Sequence, residues 1–359
     1  MKKTTLYCYL LAISVALALS ELPSAKAENT MVGFNRVLCP PMSDTFVSVP
    51  FMKHPVKDSK TLVSKPTLSQ GQAVLTPAEA ASWTVDELKN THYVRFTTGA
   101  LEGRWYEIVG NSATSLRIHL NGEDGVAFAP GDAFMVVEFW TLDTLFPPGV
   151  QPTFHKSSGN LGYQQKSKLL IPDVDAAGIN LPAKEIYFLT AEGWKQSTEG
   201  YPNAGSTILP PGLPFIIRHP AGVEATNFEP VGRVLDSKDV VVLSQLPGNR
   251  QDNTVGIFRP VDVPLSNSGL DETAFASSVS HGAGARKDEL LVFDNSLAGF
   301  NKSPSAIFYK YSQTWFLDEG KVESNSSAAA NALSASGGLI IRKSQGSSSS
   351  SFWTNQPAY

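Results

Sequence analysis

Three features of this sequence predict an all-β chain of tandem small β-barrel or β-sandwich units. Short runs of β-branched and aromatic residues recur, Gly and Pro punctuate them densely, and the C-terminal two thirds carries an internal repeat. Residues 154–194 lie over 275–315 at one constant spacing without a gap. Phe154/Phe275, Ser157/Ser278, Lys166/Lys287, Leu169/Leu290, Asp173/Asp294, Gly178/Gly299, Asn180/Asn301, Ile186/Ile307 and Trp194/Trp315 are among the identities. A repeat of this length marks a duplicated folding unit.

The first element is an expected export signal over residues 1–27. Lys2 and Lys3 precede an apolar stretch from Leu6 to Leu19, and Ala25-Lys-Ala27 supplies a small-x-small cleavage site. An N-terminal β unit is expected over 28–147. Its strand candidates are Phe46–Phe51, His92–Phe96, Trp105–Val109, Leu116–Leu120 and Phe134–Trp140, separated by turn signals such as Asn121-Gly122 and Pro130-Gly131-Asp132. One short helix is expected at Thr76-Pro-Ala-Glu79, which has the composition of a capping box with Pro in the first turn.

A middle unit, copy 1 of the repeat, is expected over 148–232, and copy 2 over 233–359. In each, a run of β-branched and aromatic residues (Ile186–Thr190, Ile307–Tyr311) leads through a polar turn to Trp194 or Trp315, as a hairpin does. After a short insertion the match resumes with Phe215-Ile-Ile-Arg218 over Leu339-Ile-Ile-Arg342 and with Phe228 over Phe352. The Ser-rich stretches 324–336 and 346–351 lack apolar mass and read as loops.

Lys and Arg total 29 against 33 Asp and Glu. Without residues 1–27 the formal charge is about −6, and no dense basic run is present, which argues against nucleic acid and anionic membranes as partners. After the export signal no apolar stretch is long enough to span a bilayer as a helix. An outer-membrane barrel is disfavoured because Asn355 and Pro357 interrupt the terminal strand pattern. With Cys8 in the signal, Cys39 is the remaining cysteine of the mature chain, so no internal disulfide is expected. Cys39 reads as a buried small residue, with pairing between chains as the alternative.

Several motifs together resemble a family of uncharacterised exported bacterial proteins, known mainly as conserved hypotheticals. They are Ser43-Asp-Thr-Phe-Val-Ser-Val-Pro50, Val94–Gly103, Trp140-Thr-Leu-Asp-Thr-Leu-Phe146, Leu170-Ile-Pro-Asp-Val174, Gly178-Ile-Asn180 and Arg259–Val263. The resemblance spans nearly all of the mature chain. It implies export and brings no catalytic residue with it.

The sequence contains no Gly-x-Ser-x-Gly elbow, no His-Glu-x-x-His pair, no phosphate loop and no dinucleotide fingerprint. His54, His92, His119, His155, His219 and His281 are far apart in sequence, and none is shared by the two copies. Asp173-Val-Asp175-Ala-Ala-Gly178 is spaced as a calcium loop, yet copy 2 has Ser296 in place of the second acid, so an Asp-stabilised turn is the plainer reading. Trp194 and Trp315 are the ligand-contact candidates, as stacking platforms or as packing beneath their hairpins. No cofactor is expected.

These observations predict an exported, non-enzymatic structural or adhesive protein of the periplasm, cell surface or extracellular matrix. Its expected partners are envelope components, polysaccharide or further copies of itself. A carbohydrate-binding protein using Trp194 and Trp315 is the alternative, and a hydrolase with a dispersed carboxylate pair the third reading.

Overall fold

The computed structural model describes residues 31–357, apart from 80–81, 124–125, 319–331, 347–349 and the side chains of 57–59. The expected export signal and much of the two Ser-rich stretches lie outside the described residues. Among the described residues the regular elements are almost all antiparallel β-strands.

The first strands are β1 (Val32–Phe34), β2 (Val37–Cys39) and β3 (Ser43–Val47). They are followed by β4 (Lys57–Thr61), β5 (Thr67–Ser69), β6 (Gln72–Leu75), β7 (His92–Phe96), β8 (Trp105–Asn111), β9 (Leu116–His119) and β10 (Ala133–Glu138). Strands β4 to β10 form a curled seven-stranded sheet in the order β4-β10-β7-β8-β9-β6-β5. The alternation in Leu116-Arg-Ile-His119 places Leu116 and Ile118 inside and the two polar residues outside, as the two-residue period requires. The curl closes over a core that includes Phe96, Tyr106, Phe128 and Phe134.

Next come β11 (Trp140–Thr141), a four-residue helix α1 (Leu142–Leu145), β12 (Lys168–Pro172), β13 (Ala183–Thr190), β14 (Gly193–Gln196), β15 (Ile208–Leu209), β16 (Phe215–His219), β17 (Thr226–Phe228) and β18 (Val231–Arg233). The last set is β19 (Asp239–Leu243), β20 (Gln251–Gly256), β21 (Glu289–Val292), β22 (Ala306–Tyr311), β23 (Thr314–Leu317), β24 (Gly338–Lys343) and β25 (Ser351–Asn355).

The duplication is visible as two five-stranded sheets of matching order, β14-β13-β12-β16-β3 and β23-β22-β21-β24-β20. Strand β3 therefore stands to copy 1 as β20 stands to copy 2. The flanking ribbons agree, since β17 pairs with β2 and β25 with β19. The expected cut near Pro147 runs through this arrangement, because β3 completes the five-stranded sheet of the middle segment and β2 pairs with its β17. The seven-stranded sheet is an insertion between β3 and β11 of copy 1. In copy 2 residues 257–262 span the same junction, and Val263 pairs with Leu333 as Trp140 pairs with Leu209.

Two local expectations are corrected. Thr76–Glu79 is not helical; Leu62 bridges Pro77, and the Glu79 carboxylate accepts from Thr61 N at 3.1 Å and Thr61 Oγ1 at 3.0 Å, so the acid meets a strand backbone instead of its own turn. The partner of Phe228 is Trp353, not Phe352. Thr226 faces Cys39 and Phe228 faces Val37, whereas Ser351 faces Leu243 and Trp353 faces Val241. A slip of one residue reverses the side a strand residue points to, so Trp353 enters the core and Phe352 lies outside under the Arg104 guanidinium, 4.1 Å away.

Each copy has its own core, around Phe154, Trp194 and Phe215 in copy 1 and Phe275, Trp315 and Trp353 in copy 2. A further cluster joins the inserted sheet to both, with Tyr93, Met135 and Val137 packed against Met52, Leu235 and Phe258.

Candidate functional site

The stacking platform expected of Trp194 and Trp315 requires an exposed ring face, and the structure gives neither residue one. Trp194 is 1% exposed and Trp315 5%. Trp194 sits with its ring 4.9 Å from Phe154 and donates its Nε1–H to Phe146 O at 3.1 Å. Trp315 lies 4.9 Å from Phe275. The Phe and the Trp that both copies retain are thus partners in one packing contact, repeated. Strand alternation turns position 194 inward, and the indole N–H is satisfied by a main-chain carbonyl, which suits a core residue.

The shared Gly-x-Asn loops have a different use. In copy 1, Gly178 O accepts from Asp252 N at 2.9 Å, and Asn180 N donates to Asp252 Oδ2 at 2.7 Å. Arg342 holds the same carboxylate through Nε (2.7 Å) and Nη2 (2.9 Å) and reaches Asn180 Oδ1 at 2.9 Å.

Copy 2 returns the contact. Gly299 O accepts from Asp44 N at 2.9 Å, and Asn301 N donates to Asp44 Oδ2 at 2.7 Å. Arg218 grips Asp44 through Nε (2.6 Å) and Nη2 (2.7 Å) and Asn301 Oδ1 at 2.8 Å. Each copy therefore docks its loop on an Asp–Arg pair of the other. Gly178 and Gly299 take φ +118° and +152°, and Asn180 and Asn301 take +55° and +48°, conformations that these residue types tolerate.

Several of the oxygens that a calcium ion would need in these loops are already bonded. Lys184 Nζ holds Asp175 at 2.7 Å, and Ala176 O accepts from Gln251 Nε2 at 3.0 Å. In copy 2 Lys302 Nζ spans Asp294 O and Leu297 O at 3.0 and 3.1 Å, so an ammonium occupies the centre of the turn. Among the described residues no group of three His, Cys, Asp or Glu side chains converges as a metal site.

Sequence separation concealed one pairing of histidines. His155 and His219 lie 5.4 Å apart, ring to ring. The Thr226 hydroxyl donates to Thr153 O at 2.8 Å, so its oxygen receives the His219 Nε2–H at 2.7 Å. That fixes the neutral tautomer and leaves Nδ1 buried without a partner. Burial pushes the imidazole down to about 4. Cys39 is fully buried, with its thiol pushed up to about 11 by desolvation, and its counterpart facing the last ribbon is Leu243. It acts as a core residue, out of reach of a second chain.

A groove of about 950 Å3 opens at the end of the copy 2 sheet, against β2. Its floor includes Val292, Phe308 and Leu339, and its rim carries Asp262, Asp294 and Ser334. The hollow follows from residue size. Gly337 N bonds Ser334 O as Leu213 N bonds Pro210 O, which aligns Ala332, Ser334, Ala335 and Gly337 with Ile208, Pro210, Pro211 and Leu213. Copy 1 fills the equivalent ground, where Ile208 packs on the cluster that the inserted sheet brings. Copy 2 has small residues there and a groove.

No family model, curated protein or solved structure matches this chain. The site is therefore defined by its own geometry. The two carboxylates at the groove rim bond to loop backbone, Asp262 to Ala335 N at 2.8 Å and Asp294 to Ser296 N at 2.8 Å and Ser296 Oγ at 2.6 Å. Those bonds to Ser296 hold Asp294 below its ordinary range, opposite to the shift that a glycosidase acid needs. The groove was absent from the sequence reading. Its signal was present all the same, as a run of small residues in one copy opposite Ile, Leu and Pro in the other.

Proposed function

We propose that this chain is an exported, non-enzymatic structural or adhesive protein of the bacterial cell envelope or extracellular matrix, acting through its surface. The observation that carries this reading is the reciprocal loop docking of the two copies. The charged side chains Asp44, Arg218, Asp252 and Arg342 are committed to locking the copies together and not to a cleft. Lys343 and Asp288, 3% and 0% exposed, form an ion pair inside copy 2. Such an arrangement favours a rigid carrier that acts through its surface, above all the copy 2 groove.

Cell fractionation combined with assembly measurements on the released protein tests the reading. The chain should remain with the envelope or matrix fraction, or assemble when purified. A monomer that is free of that fraction and turns over a substrate would sink the proposal.

A further inference from the structure

The duplication also left an asymmetry on the surface. In copy 1 the loop 158–164 projects Tyr163, 84% exposed, and Leu161, 49% exposed. Its tip is held by Gln164 N to Leu161 O at 2.7 Å and Gln165 Nε2 to Asn160 O at 2.7 Å, so the projection is built and not trailing. The matching positions of copy 2 are Gly284 and Gly282. Copy 1 thus has a knob that copy 2 lacks, and copy 2 a groove that copy 1 has filled. The charges agree in sign: exposed Lys156 and Lys166 flank the knob, and the groove carries Asp262 and Asp294 on its rim, while Arg36, which also lines it, is paired with Glu229 at 2.6 Å.

We infer that the groove receives the Leu161–Tyr163 knob of a second copy of this chain. The apolar floor would take the two side chains while the lysines meet the rim aspartates. A knob on one face and a hole on another make a heterologous contact, which adds molecules head to tail and does not close after two. The inference rests on the structural reading above and deepens it by naming the partner.

The test uses the mature chain with two kinds of variant in sedimentation velocity. Leu161→Ser with Tyr163→Ser removes the knob. Ser334→Trp, at an exposed rim position, fills the groove, and Ala306→Arg is a second block that opposes the lysines by charge. Wild type should form a concentration-dependent series of oligomers beyond the dimer, and each variant alone should weaken assembly by at least about tenfold. An equimolar mixture of knobless and groove-blocked chains retains one complete contact and should stop at a heterodimer. Assembly that persists in both variants would overturn the knob-and-groove contact and leave the structural role standing. A wild-type chain that stays monomeric to millimolar concentration overturns the contact, and absence from the envelope fraction as well would take the structural reading with it.

Discussion

Asp44 and Asp252 each hold a bidentate guanidinium of their own copy and accept one backbone N–H from the opposite copy's loop, with their side chains 5% and 1% exposed. A carboxylate so buried is stable only while those donors remain. Its loss strands the arginine. Asp252→Ala should therefore cost about 3–5 kcal/mol, read from urea midpoints at constant slope, because Arg342 would lose its carboxylate and keep the Asn180 amide oxygen as its remaining bond here. A cost under about 1 kcal/mol would place the pair with ordinary surface ion pairs and remove it as a lock. His219 makes the second residue-scale prediction. Its ordinary value is 6.5, and in the fold it lies at about 4. Above pH 6.5 the imidazole is neutral in both states and costs nothing. Between pH 6.5 and 4 the unfolded chain binds a proton that the folded chain refuses, so stability should fall by roughly 3 kcal/mol and level off below pH 4. His219→Gln should lack that component of the slope; an unchanged pH profile would contradict the assignment.

Strand position was readable from residue type, while strand side was not. Runs such as His92–Phe96 and Ile307–Tyr311 lie in β7 and β22 as their β-branched and aromatic content requires. Matching Phe228 to Phe352 by residue type placed the wrong side chain in the core, because only cross-strand pairing fixes which way a strand faces. The same logic governs Trp194. Placed on the inner side of β14 between Phe146 and Phe154, it should act in stability and not in binding. Trp194→Ala should lower stability by about 3–5 kcal/mol and leave retention on insoluble polysaccharide at the wild-type level. Lost retention with an unchanged melting temperature would restore the stacking-platform reading. The Gly-x-Asn loops were legible as turns through their φ-tolerant residues. Their partners lie in the other copy, beyond anything a local pattern reports.

The insertion of a whole sheet into copy 1 leaves the described body joined by contacts that cross every segment. Arg95 of β7 pairs with Asp239 of β19 at 2.9 Å, the side chains 1% and 6% exposed, and Val240 N bonds Gly103 O at 3.1 Å. The junction cluster draws residues from all three sheets' surroundings. Chemical unfolding should accordingly run as one transition, with tryptophan fluorescence and far-ultraviolet circular dichroism superimposed. Two separated transitions would mean that the inserted sheet is held more loosely than this packing requires.

By itself, the sequence determined the all-β class, the duplication and the turns at Gly178 and Gly299, because each depends on local residue chemistry or on comparison of the copies. Tertiary structure alone decided that β3 completes copy 1 across the inserted sheet and that each copy's loop is clasped by the other's Asp–Arg pair. It also decided that the repeated tryptophans are core and that a groove lies where small residues replace large ones. These features join residues distant in the chain, and a linear pattern carries composition and period but not which remote surface a side chain will meet.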